Sequence, residues 1–216
     1  MPQIQIFGGG AHAGRRVDVQ DFMVVCPGAT NFAQALEWTA EVYRHAGLLM
    51  ARRGSLFGVA DEGGWWPDFS SNEQALEMLV LAIEHAGFIP GDQVAIALDI
   101  AASEFGRQGQ YRLGLESRAL DSDGMIEMLL RWVEKYPIVS IEDPLAEDDT
   151  VGFSRFTKAI GHRLQIVGDD FLVSNSNLIR EAANLGAANT VLLKPNQRGT
   201  LSETLEAWKV SQELGY

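Results

Sequence analysis

Four short apolar runs in this 216-residue chain lead into a charged residue: Val94–Leu98 into Asp99, Ile138–Ile141 into Glu142, Leu164–Gly168 into Asp169, and Thr190–Leu193 into Lys194. A charge at the end of a buried strand is costly unless it is paired or ligated. One such residue would mean little. Four in succession, always at the C-terminal end, form the pattern of a (β/α) barrel, whose chemistry sits at that face. The sequence therefore predicts three carboxylates and a lysine around one barrel mouth.

Carboxylates are hard oxygen ligands of the kind magnesium takes, together with water and substrate oxygens. A lysine beside a dication feels its positive field, which lowers the lysine pKa and makes the amine usable as a base. The matching reaction class is proton abstraction next to a carboxylate, with the metal holding the enediolate. A buried ion-pair cluster of Asp99 and Glu142 with Lys194 is the structural alternative. Residue types alone leave it open, although perturbed charges gather at functional sites.

The elements that must position these residues follow from periodicity. The apolar runs read as parallel strands buried on both faces. Between them Met125, Ile126, Leu129, Leu130 and Val133 recur at helical spacing, and Pro137 stops that helix. Leu178, Ile179, Ala182 and Leu185 form a second stripe, closed by Gly186. Thr200 and Glu203 make a capping box, with Leu201, Leu205 and Trp208 behind it. A weaker helix fills residues 151–160. The first 90 residues differ. Pro2–Phe7 and Val17–Val25 read as strands around a glycine-rich turn, and two helices follow. One runs from an Asn31 cap to Gly54; the other carries Ala75, Leu76, Leu79, Val80 and Ile83 and stops at Gly87. The order is β-β-α-α, then repeated β-α.

Composition narrows the function classes. A formal charge of −12 disfavours binding to nucleic acid and to anionic membranes. One cysteine, Cys26, forbids an internal disulfide and fits a reducing compartment. No signal peptide or membrane-length apolar run is seen, so the expected location is cytoplasmic. His45 and His85 fall on helices without metal-ligand neighbours, His162 reads as a loop residue, and Cys26 reads as packing.

Longer motifs carry a resemblance. Gly9-Gly10-Ala11-His12-Ala13, Asp18-Val19-Gln20-Asp21-Phe22-Met23, Asp61-Glu62-Gly63-Gly64, Leu98–Phe105, Ser140–Asp149, Val167–Asp170 and Leu193–Thr200 resemble enolase (phosphopyruvate hydratase), in that family's order and across essentially the whole chain. The resemblance implies an α/β fold, an enolase-type (β/α)8 TIM-like barrel with a β-β-α-α start. It implies a magnesium-dependent interconversion of 2-phosphoglycerate and phosphoenolpyruvate. Asp99, Glu142 and Asp169 match the magnesium ligands. Lys194 matches the base at carbon 2, and Glu62 the acid at the leaving hydroxide. His12 matches a loop residue over the substrate, and Asp21 a second acidic residue near the leaving group. A small phosphorylated acid is the implied partner, and a homodimer is implied for the full-length protein.

Some residues depart from that pattern. The family usually has glutamate where Asp21 stands, and a displacement of about 1 Å at such a group can cost about a hundredfold in rate. Gly8 replaces an asparagine, Trp65-Trp66 replace Phe-Ala, and Pro195 replaces a valine. Residues 1–216 are expected to be a partial barrel domain, about six of eight strands. The family's N-terminal α+β domain, its Ser-His-Arg-Ser-Gly phosphate motif and a second lysine are expected outside it.

Overall fold

Asn31 and Ser71 each begin a helix by accepting a backbone N–H three residues on, at 3.0 and 3.1 Å. Asp149, Asn175 and Thr200 also cap helices through their side chains. Glycines in the left-handed conformation follow two later helices, Gly186 at φ 60° and Gly215 at φ 78°. These local signals set the helix boundaries.

The computed structural model describes all residues from Met1 to Tyr216. Its strands are β1 (Gln3–Gly8), β2 (Asp21–Val25), β3 (Ala95–Asp99), β4 (Gly106–Arg107), β5 (Gln110–Leu113), β6 (Arg118–Asp121), β7 (Ile138–Glu142), β8 (Gln165–Gly168) and β9 (Thr190–Val191). Its α-helices are α1 (Phe32–Arg52), α2 (Asn72–His85), α3 (Ser122–Lys135), α4 (Thr150–Ile160), α5 (Ser176–Leu185), α6 (Pro195–Arg198) and α7 (Leu201–Leu214). The β-β-α-α opening and the later β-α alternation are both present. β1, β2, β3, β7, β8 and β9 are the six barrel strands expected. No helix is long and apolar enough to cross a membrane.

Contacts divide the chain into two units. The first is Met1–Ile100 with Arg112–Ala119 and Arg131–Val139. There β1, β2 and β3 pair antiparallel in sequence order, with Asp21 opposite Asp99 and Gly8 opposite Asp21. β1 carries a bulge: Gln5 faces Met23 and Phe7 faces Phe22, so Ile6 is the extra residue. α1 buries mostly small residues, among them Ala35, Thr39, Ala46 and Gly47, and packs on α2. Cys26 lies in this core beside Thr39, as a packing residue.

The second unit is Ala101–Tyr111, Leu120–Leu130 and Ser140–Tyr216. Here β7, β8 and β9 pair in parallel, with Glu142 level with Val167 and Gly168 level with Val191. α4 buries Phe153, Phe156 and Ile160, and α5 buries Ile179 and Ala182.

Four expectations need correction. The strand predicted over Val17–Val25 starts only at Asp21. Before it, the Asp18 and Val19 N–H groups are taken by the buried Asn72 side chain, at 2.9 and 3.3 Å. The strand predicted over Thr190–Lys194 stops at Val191 and is half-buried, because β9 is the outer strand of its parallel run. On α7, Leu201, Leu205 and Trp208 are exposed, while Ala207, Val210 and Ser211 form the buried face where the helix packs on α5. The short strands β4, β5 and β6 were not foreseen.

Asp149 shows how one side chain organises a strand-to-helix connection. It is buried, caps α4 through the Gly152 N–H at 2.9 Å, and accepts hydrogen bonds from the Tyr111 hydroxyl at 2.7 Å and the Ser122 hydroxyl at 2.6 Å. Burial, then the bond to Asp149, pushes the Tyr111 hydroxyl pKa up. Asp149→Ala removes the cap and strips two hydroxyls of their acceptor. It should cost about 2–4 kcal/mol, read as a lowered urea midpoint. Asp149→Asn keeps the cap and should lose less; equal losses would refute this account.

Candidate active site

The residues singled out in the sequence fall into two groups. Glu142, Asp169 and Lys194 lie in the second unit. His12, Asp21, Glu62 and Asp99 lie in the first.

In the second unit Glu142 ends β7, Asp169 follows β8 and Lys194 follows β9. Parallel pairing brings these ends level, so the side chains meet. The Lys194 Nζ donates to Asp169 Oδ2 in a close ion pair. Gln197 Nε2 donates to the other oxygen, Oδ1, at 2.7 Å. Glu142 shares a hydrogen bond with Asp169. Asp169 is 6% exposed and Glu142 8%, so both carboxylates have lost most of their water. Burial lifts the Glu142 pKa well above the usual carboxylate range; Asp169 and Asp143 add to the rise, and Lys194 opposes it.

Three further residues complete this group. Asp143 is buried at φ 39° and accepts the Asp169 and Asp170 N–H groups at 3.1 and 2.7 Å. Burial pushes its pKa up to about 7, against those two bonds. Ser174 accepts the Lys194 N–H at 2.8 Å and lies 2.8 Å from Gln197 Oε1, to which it donates. Ser174 and Gln197 thus hold the Lys194 backbone and the Asp169 carboxylate as one network. Asp143 was visible only as the second acid of the Glu142-Asp143 pair. Ser174 and Gln197 gave no signal of their own, because their bonds depend on the chain turning back past β8.

In the first unit Asp21 and Asp99 face each other across β2 and β3. Gln20 Nε2 donates to Asp99 Oδ2 at 2.9 Å, and Gln20 also hydrogen-bonds Asp21. The Gln5 side chain donates to Asp21 through Nε2 in a short bond. Burial raises the Asp21 pKa to about 6; Gln5 and His12 oppose the rise, and Glu62 adds to it. His12 sits in a 3-10 turn, Gly10–Ala13, with Nδ1 3.8 Å from Asp61 Oδ2. Glu62 is exposed in the adjoining loop, and the Asp61 N–H donates to the His12 carbonyl at 3.3 Å. Trp66 Nε1 donates to the Ala13 carbonyl, a second tie between the two loops. The glycine-rich turn serves close approach: a Cβ on Gly9 would come within 2.1 Å of the Val19 carbonyl oxygen.

The enolase C-terminal TIM barrel domain family matches residues 1–216. The chain belongs to this family. That match covers every residue of both groups.

Magnesium is the ion that the enolase superfamily generally uses. No group of three His, Cys, Asp or Glu side chains is gathered here as a ready metal-binding cluster. The donor chemistry nevertheless fits a hard dication. Glu142 and Asp169 are buried oxygen donors in contact with each other, and the proton affinity of Glu142 is raised by burial first and by that proximity second. A pair of carboxylates that strains to keep a proton is one that a dication would stabilise.

These shifts set a pH dependence. Asp21, Asp143 and Glu142 have folded pKa values above their unfolded ones. Their contribution to stability is complete below the ordinary carboxylate range and is lost as pH rises through the folded values. Glu41 and Glu73 shift the other way through surface pairs with Arg44 and Lys135, which solvent screens. In chelator-containing buffer, unfolding free energy should therefore fall between about pH 4.5 and pH 8, and magnesium at the upper end should restore stability. Urea titrations across that window check both. A rise with pH in chelator would contradict the assignment.

Proposed function

We propose that this domain serves the magnesium-dependent dehydration of 2-phosphoglycerate to phosphoenolpyruvate. The observation that carries the reading is Lys194, an ammonium bonded to a buried carboxylate that also touches Glu142. By family resemblance Asp99, Glu142 and Asp169 would hold the magnesium, which would supply positive charge against the enediolate. Lys194 takes the proton from carbon 2. To act as a base it must first release its own proton, and the Asp169 carboxylate favours the charged form. Neutralising Asp169 is therefore what frees the amine. Gln197 and Ser174 keep the lysine aimed while its partner changes charge.

Glu62 would donate the proton that lets hydroxide leave carbon 3. Its exposed loop position allows it to take up a proton from solvent. His12 and Asp21 would contact the substrate near that group. A second reading has an observation of its own. Asp21 is short and Trp65-Trp66 border the Glu62 loop, which suits an enolase-superfamily member acting on another acid.

The test is the ultraviolet absorbance of the enol product when the magnesium-loaded protein, supplied with the remainder of the barrel if needed, meets 2-phosphoglycerate. Lys194→Ala should lower hydrogen exchange at carbon 2 by about a thousandfold or more. Retained exchange would remove Lys194 from the base role. Turnover of non-phosphorylated sugar acids without turnover of 2-phosphoglycerate would favour the second reading.

A further inference from the structure

Gln5 has no place in the chemistry described so far, yet its surroundings are built around it. It is 7% exposed and lies in β1, just before the bulge residue Ile6. A bulge re-aims the side chains beside it. Here the Gln5 amide reaches in two directions. Its Nε2 donates to the Asp21 carboxylate, and its Oε1 accepts the Gly64 N–H at 2.7 Å. Gly64 closes the Asp61–Gly64 turn that presents Glu62, and the Gly63 carbonyl accepts the Tyr43 hydroxyl at 2.8 Å.

The two glycines flanking the amide leave room for it. A Cβ on Gly64 would come within 2.5 Å of Gln5 Oε1; one on Gly8 would meet the Ala60 Cβ first, at 2.3 Å, and Gln5 Oε1 at 3.0 Å. Neither glycine has a positive φ, so backbone conformation does not require either. An apolar side chain here would deprive the Asp21 carboxylate and the Gly64 N–H of this partner, and a buried group left unsatisfied is costly. Position and bonding together select a group with one donor and one acceptor at this reach. Asparagine is a methylene short, glutamate lacks the donor, and lysine lacks the acceptor.

We infer that Gln5 is a positioning residue: its one side-chain amide ties the Asp21 carboxylate to the Glu62 loop and sets the spacing of the two acids. What those acids do rests on the functional reading above; the tie itself does not. The strut also bears on the shortened Asp21. A carboxylate on the shorter arm is held in place from the strand beside it.

Hydrogen exchange by NMR on the whole chain reads the tie directly. In Gln5→Met the Gly64 N–H should exchange at least about tenfold faster. In Gln5→Glu, close in shape, it should stay protected because the acceptor remains. The Gln5 side-chain N–H should be protected in the native chain and lose protection in Asp21→Ala. Unchanged Gly64 exchange in Gln5→Met would overturn the tie. For turnover of 2-phosphoglycerate by the magnesium-loaded protein, Gln5→Glu should lower kcat per folded molecule at least about tenfold, with KM within about twofold; Tm should fall as well, because a second carboxylate then faces the buried Asp21. A lowered Tm with kcat per folded molecule unchanged would overturn the positioning role and leave a structural one. If the native protein turns over no 2-phosphoglycerate in the assay given under the proposed function, that reading fails, and the exchange data alone decide the strut.

Discussion

Burying a carboxylate is the constraint on which the rest of this structure depends. Asp21, Asp99, Glu142, Asp143, Asp149 and Asp169 are all buried. An unpartnered buried charge costs far more than any single packing contact returns. Each of these groups is therefore met by something specific. Asp169 has an ammonium and an amide. Asp143 has two backbone N–H groups, Asp149 a helix terminus and two hydroxyls, and Asp21 and Asp99 have glutamine amides. Glu142 meets a second carboxylate, and burial first, then that neighbour, raises its proton affinity.

Meeting these demands bends the backbone. Ala101, two residues past β3, sits at φ 45°; Asp143, next after β7, at φ 39°; Val173 and Ser174, after β8, at φ 40° and 51°. Left-handed conformations of non-glycine residues cost about 1–3 kcal/mol each and persist only where surroundings over-determine them. Here the surroundings do so. The Asp143 N–H donates to the Val167 carbonyl at 3.0 Å while its carboxylate takes two more bonds. Val173 donates to the Asp169 carbonyl at 2.7 Å, and Ser174 bonds Lys194 and Gln197. Asp143, Val173 and Ser174 thus carry left-handed backbone among the charged residues of the second unit, while Arg15, Gln108 and Ser117 carry it in turns elsewhere.

Much of this was legible beforehand, and the boundary has a physical cause. Apolar runs and caps act locally, so Asn31, Thr200, Gly186 and the runs ending at Asp99 and Glu142 declared their elements. The α7 stripe misled because periodicity shows that a helix has an apolar face, not which face meets a neighbour; small Ala207 and Ser211 allow the closer approach. β4–β6 escaped because two- to four-residue strands carry little alternation. The charged residues of the candidate site were legible because their types are costly where they stand. Their amide and hydroxyl partners were not. Gln5, Gln20, Ser174 and Gln197 are ordinary polar residues until bulge, register and loop path bring them to a carboxylate.

The charge balance within the second unit explains why such partners matter. Glu142, Asp143, Asp169 and Asp170 act on one another, and each of the first three is buried. Lys194 is the cation bonded among them. One ammonium does not offset that many carboxylates, so part of the excess is met by bound protons, at Glu142 and Asp143. Protons and dications compete for such oxygens. A group that holds protons above the ordinary carboxylate range has charge density to exchange for a metal near neutral pH. The amides and N–H groups contribute the complementary part. They satisfy lone pairs without adding charge, which leaves the excess negative charge in place.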